Sequence, residues 1–212
     1  MIDYVTLLLF NMISALVVLA FFLWSGLARP GREHWAPVFG ICGLVATVAG
    51  FAITFTWPIP APYSEVYGEM SVLLGALFLG AAWTLVRGGS LLPLGIYAFF
   101  AGAAGVVAGI RIIQLSLTQT PILAGIGFIL TGLGGVGAGI TLWRPDRREL
   151  RTIGGVLMLV AAGIWIAVGY TGYWHHMKVK KSSDAATFRT ETSASRPVPA
   201  AGKQAKDIYL IG

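Results

Sequence analysis

Charged residues are scarce in this chain, 11% of 212 residues, against about 25% in a typical soluble domain. Together with 56% hydrophobic content, that deficit excludes an ordinary soluble domain. A single cysteine, Cys42, excludes an internal disulfide and a C-x-x-C redox centre. Inside an apolar block it is expected to pack as a small hydrophobe. No G-x-x-x-x-G-K-S/T phosphate cradle and no G-x-S-x-G nucleophile elbow occurs, so neither of those chemistries has a footing. The net charge of +6 does not point to nucleic acid, because residues 175–212 hold seven Lys/Arg against three Asp/Glu and so carry most of it. The remainder of the chain is close to balanced.

What is abundant is long apolar runs. Six blocks, about 4–27, 36–57, 65–86, 91–113, 121–143 and 150–174, alternate with short polar breaks. About 20 apolar residues in a helix cross the roughly 30 Å of hydrocarbon in a bilayer. Helices satisfy their own backbone in lipid, and the two-residue alternation of a barrel strand is missing. The expected fold is all-α: a six-helix transmembrane bundle over residues 1–177, followed by a flexible basic tail, 178–212, of Lys, Ser, Thr, Ala and Pro. Met1-Ile2-Asp3 lacks the positive flank of a secretory signal, so the first block is expected to be a retained helix.

Glycine punctuates these blocks. Gly40, Gly43 and Gly50 share a helical face with Thr47 and Thr54, and Ala98, Gly102, Gly105 and Gly109 line another, with Gly105 and Gly109 in G-x-x-x-G spacing. The fifth block, opened by Pro121 at a first-turn position, is the densest in glycine. In a membrane this reads as a central helix against which others pack closely, and a helix lining a pathway is the alternative.

Lys and Arg counts set an expected orientation. The breaks after blocks one, three and five carry two, one and four of them, against none after block two and Arg111 alone near the end of block four. The positive-inside rule places those three loops in the cytoplasm and both termini on the outer side. Lys178, Lys180 and Lys181 oppose that assignment.

With this topology the polar residues near the bilayer gather at the outer end. Glu65 and Glu69, at i and i+4, share a face of the third helix. Arg111 closes the fourth helix, Gln114 follows it, and His175 and His176 close the sixth. Three arrangements fit these residue types. Glu69 and Arg111 can form an interfacial ion pair, with Glu65 favoured by a helix N-terminus. Glu65, Glu69, His175 and His176 can supply ligands to zinc, iron or copper. The same carboxylates can line a solute or proton pathway. Haem is argued against, because His34 lies at the opposite edge from His175 and His176, and adjacent helical residues point about 100° apart. Asn11, inside the first helix, is expected to hydrogen-bond across to another helix.

The strings Phe55-Thr56-Trp57-Pro58-Ile59-Pro60, Tyr67-Gly68-Glu69-Met70-Ser71-Val72-Leu73, Ile96-Tyr97-Ala98-Phe99-Phe100-Ala101-Gly102, Leu117-Thr118-Gln119-Thr120-Pro121 and Gly127-Phe128-Ile129-Leu130-Thr131-Gly132 carry a resemblance. Over about residues 1–176 the chain resembles the bacterial and archaeal membrane-protein family known as domain of unknown function 981. The resemblance implies a multi-pass protein of the inner membrane and supplies no activity or catalytic residue. The first expectation is therefore an accessory or interaction subunit, in contact with lipid and with a membrane-protein partner or a second copy. A small channel or transporter is the second expectation and a metal-dependent membrane enzyme the third.

Overall fold

The computed structural model describes residues 4–58, 63–118 and 120–170. His175, His176 and the basic tail from 178 lie outside the described residues. Among the described residues there are six long helices and no strand, and each helix is long and apolar enough to cross a membrane. They are α1 (Tyr4–Phe21), α2 (Ala36–Thr56), α3 (Tyr63–Val86), α4 (Leu92–Leu115), α5 (Pro121–Trp143) and α6 (Arg148–Tyr170).

Three of the helices start where proline sets the entry. Pro37, Pro93 and Pro121 sit in the first turns of α2, α4 and α5, where the missing amide proton had no helical partner to lose. Helix α1 does not end cleanly; it widens into a π-helical turn, Phe22–Gly26, in which the Leu27 amide bonds the Phe22 carbonyl at 2.8 Å. The Ser25 hydroxyl also donates to the Phe21 carbonyl at 2.7 Å. Gly31, with φ of 83°, then turns the chain into a 3-10 turn, Arg32–Trp35, that feeds α2.

Packing is dominated by two antiparallel hairpins, α2 with α3 and α4 with α5. Each is closed by glycines spaced seven apart. On α2, Gly43 and Gly50 face Gly75 and Gly68 of α3; a Cβ on Gly43 would lie 2.7 Å from the Leu79 amide nitrogen, and one on Gly50 2.9 Å from that of Val72. On α4, Gly95, Gly102 and Gly109 face Gly139, Gly132 and Gly125 of α5. There a Cβ on Gly102 would lie 2.7 Å from the Val136 amide nitrogen, and one on Gly109 3.0 Å from that of Ile129. Seven-residue spacing keeps one seam in contact when two helices wind left-handedly. At Gly43, Gly50, Gly102 and Gly109 the facing backbone leaves no room for a Cβ.

The two hairpins match position for position. Leu79 stands to Gly43 as Val136 stands to Gly102, and Val72 to Gly50 as Ile129 to Gly109. Thr54 covers Gly68 as Ile113 covers Gly125, and Thr47 covers Gly75 as Val106 covers Gly132. A third antiparallel pair, α1 with α6, carries small residues on one side only. Gly155, Ala162 and Gly169 recur at seven on α6, and α1 with its π-helical end brings Leu9, Leu16 and Leu23 at the same interval. Leu9 approaches Gly169, Leu23 approaches Gly154, and Leu16 and Ala162 share one buried cluster.

The two larger of three apolar clusters among the described residues fill the space between the pairs. Phe22, Phe39 and Phe78 join the α1 end, α2 and α3, with Phe22 edge-on to Phe39 at 5.2 Å and Phe39 tilted against Phe78 at 5.1 Å. Trp165, Phe128, Leu16 and Ile112 tie α6 to α5, α1 and α4. One polar bond crosses between α1 and α2: the Asn11 Nδ2 donates to the Cys42 carbonyl at 2.9 Å. Asn11→Leu is expected to lower the unfolding free energy in detergent by about 0.6–2 kcal/mol, the range for such bonds in membranes. An unchanged unfolding midpoint would show that the bond adds nothing net.

Candidate functional site

The end of the bundle formed by the α2–α3 and α4–α5 corners holds Glu65 and Glu69. Helix α2 stops at Trp57, whose φ of 46° is left-handed and whose amide bonds the Ile53 carbonyl at 3.1 Å. Helix α4 stops the same way at Ser116, with φ of 49° and the Leu117 amide reaching back to the Ile112 carbonyl at 3.2 Å. Side-chain-bearing residues seldom adopt this conformation. Both stops fall seven residues beyond the last seam glycine, Gly50 or Gly109, a further match between the hairpins.

Glu65 and Glu69 lie one turn apart on α3, both exposed. Arg111, also exposed, donates from Nη1 to Oε1 of Gln114 at 3.2 Å, a partner on its own helix. No ion pair forms among the described residues, so the Glu69–Arg111 pair expected from the sequence is not made. Depth placed the two groups at one end, but the face of α4 that carries Arg111 directs it along the helix to Gln114. Among the described residues no three His, Cys, Asp or Glu side chains gather as a metal-ligand set. Of the four candidate ligands, Glu65 and Glu69 are described and His175 and His176 are not. His34 is exposed in the 3-10 turn.

The opposite end is basic. Arg29, Arg32, Arg87, Arg144, Arg147, Arg148 and Arg151 stand there against Glu33, Asp146 and Glu149. Arg87 lies over the Trp83 ring at 4.5 Å and Arg144 over the Trp143 ring at 4.8 Å. Three of the others surround a cavity of about 730 Å³ lined by Trp24, Ala28, Arg29, Arg148, Arg151 and Thr152. Its walls come from the π-helical end of α1 and the first turns of α6. Arg148, Arg151 and Thr152 occupy one face of α6 because they are spaced i, i+3 and i+4. Gly155, the next residue on that face, leaves room for the Trp24 indole, whose Nε1 would meet any Cβ placed there.

Among the described residues nothing negative lines this cavity, and two of its donors are unspent. The Nε1 of Trp24 and the Nε of Arg151 are buried with no hydrogen-bond partner. In the sequence Arg29, Arg148 and Arg151 stand only as markers of orientation. The periodic set Arg148, Arg151, Thr152 was a usable signal, but its union with Trp24 and Arg29 depends on α1 meeting α6. Chemically, the end that carries Glu65 and Glu69 offers separate polar groups, whereas the basic end offers converging donors.

Comparison with curated proteins and with solved structures finds no match. A family profile described as a protein of unknown function, DUF981, matches residues 1–179. The six apolar helices and this match over most of the chain place the protein as a member of the DUF981 family.

Proposed function

We propose that this protein is an integral-membrane accessory subunit, a stiff helical scaffold of the cytoplasmic membrane that works by contact with lipid and with another membrane protein or a second copy. The observation that supports it is the closed interior of the two glycine-seamed hairpins. Backbones that approach until a single Cβ would collide leave no lumen along α2–α3 or α4–α5. The partly buried hydroxyls of Thr47, Thr54, Thr84, Thr131 and Thr141 are bonded to carbonyls one turn back on their own helices. A transport path needs polar groups free to exchange partners with a solute. Here Glu65, Glu69 and Arg111 are exposed instead of facing inward.

In this reading the arginine-rich loops after α1, α3 and α5 face the cytoplasm and both termini face outward. Extraction of the tagged protein from native membranes into polymer nanodiscs is expected to yield a stoichiometric complex with one membrane partner or with itself. Recovery of a lone chain under those conditions would remove the subunit reading. Solute flux in proteoliposomes that Glu69→Gln abolishes would replace it with transport.

A further inference from the structure

We infer that the cavity between the π-helical end of α1 and the start of α6 binds a phosphate group, carried by a phospholipid headgroup or by a soluble phosphate ester. Three guanidiniums, Arg29, Arg148 and Arg151, line a space of about 730 Å³ with no carboxylate of the described residues among its walls. None of the three is in an ion pair among the described residues, while Arg87 and Arg144 at the same end lie on tryptophan rings. Like charges held together without a counter-charge repel one another, and an anion between them relieves that repulsion. Arginine is suited to the task because its planar fork matches phosphate oxygens in pairs.

Two further features point the same way. The buried Nε1 of Trp24 and Nε of Arg151 lack partners, and a buried donor left unbonded is costly unless a ligand completes it. The first turn of α6 adds amides with no helical acceptor and the positive end of the helix dipole. The irregular backbone of α1 is itself part of the construction. The π-helical turn Phe22–Gly26 carries Trp24 at the cavity wall, and such turns recur at functional sites. One turn back on α1, Phe21 is half exposed and meets Trp24 edge-on at 5.8 Å. An acyl chain below a bound headgroup has an apolar surface to follow there.

The test uses the full-length protein. In a maltoside detergent, which carries no phosphate, inorganic phosphate is added against chloride at equal ionic strength and thermal unfolding is followed. In parallel, discs containing phosphatidylglycerol are delipidated in detergent and the retained lipid is counted by native mass spectrometry. Selective retention of phosphatidylglycerol identifies a lipid headgroup; stabilisation by inorganic phosphate identifies a soluble source. In either arm R148Q/R151Q is expected to weaken binding by about tenfold or more, the scale of losing charge-assisted bonds. R29Q, in the α1–α2 corner outside any helix, is expected to weaken it in the same direction without disturbing α6. R87Q is expected to bind as the wild type does. The proposal is overturned if neither probe binds the wild type selectively, or if R87Q loses as much as R148Q/R151Q.

Discussion

Gly102→Ala is expected to destabilise the bundle by about 1–3 kcal/mol, while Gly137→Ala on the facing helix is expected to leave stability unchanged or slightly raised. The contrast follows from what one methyl group meets. At Gly102 it would collide with the Gly132 carbonyl oxygen and come within 2.7 Å of the Val136 nitrogen and 3.0 Å of the Gly135 carbonyl carbon. All three are backbone atoms of α5, which cannot rotate aside as a side chain does. Accommodating the methyl means separating α4 from α5 along the whole seam, because Gly95 and Gly109 set the same spacing on either side. At Gly137 nothing lies within 4 Å, so alanine gains helix propensity with no collision. Gly43→Ala is expected to repeat the Gly102 loss, since its Cβ would lie 2.7 Å from the Leu79 nitrogen in the matching position of the other hairpin. Thermal or denaturant unfolding in a mild detergent measures all three. Equal midpoints for Gly102→Ala and Gly137→Ala would mean that the seam register is wrong.

The number of helices and their membrane character were legible because hydrocarbon imposes one requirement on every span, and hydropathy records it directly. Their ends were less so. Hydropathy changes where side chains change, whereas the helix starts where amides find partners, so Tyr63 and Ser64 already belong to α3 and Arg148 and Glu149 to α6. The widening of α1 at Phe22–Gly26 leaves no mark in composition. It rests on the Ser25 hydroxyl at the Phe21 carbonyl and on Gly26, which has the Phe22 ring and the Trp35 indole against it.

The hairpin repetition was present in the sequence as glycines seven apart. The nearer pair at Gly105 and Gly109 stands out as a motif, yet a Cβ on Gly105 would meet nothing closer than 3.5 Å, while Gly109 lies in the seam. Spacing of four marks one face of one helix; only spacing of seven carries a seam between two. The polar residues divide in the same way. Sequence depth told which end Arg111 and Glu69 share, but not that Arg111 turns to Gln114. It could not join Trp24 and Arg29 to Arg148 and Arg151, because the chain between them makes four further spans.

Trp165→Ala is expected to cost about 3–5 kcal/mol, the range for emptying a buried aromatic site. Trp165 is 1% exposed and is, among the described residues, the largest side chain so fully enclosed. Its ring meets Phe128 edge-on at 5.1 Å, and Gly127 opens the space beside it, where a Cβ would lie 3.0 Å from Cε2. Its indole N–H donates to Oγ1 of Thr131 at 3.1 Å, and that hydroxyl donates onward to the Gly127 carbonyl at 2.8 Å. Shape and hydrogen bond can be separated by a double-mutant cycle. Trp165→Phe keeps most of the apolar contact and removes the donor, whereas Thr131→Val removes the acceptor and strands a buried N–H at a cost of about 1–3 kcal/mol. If the bond matters, Thr131→Val costs much less once residue 165 is phenylalanine, and the cycle gives a coupling of about 1 kcal/mol in unfolding experiments. Strict additivity would mean that Trp165 holds α6 to α5 by its ring alone, with the hydroxyl of Thr131 serving only its own helix.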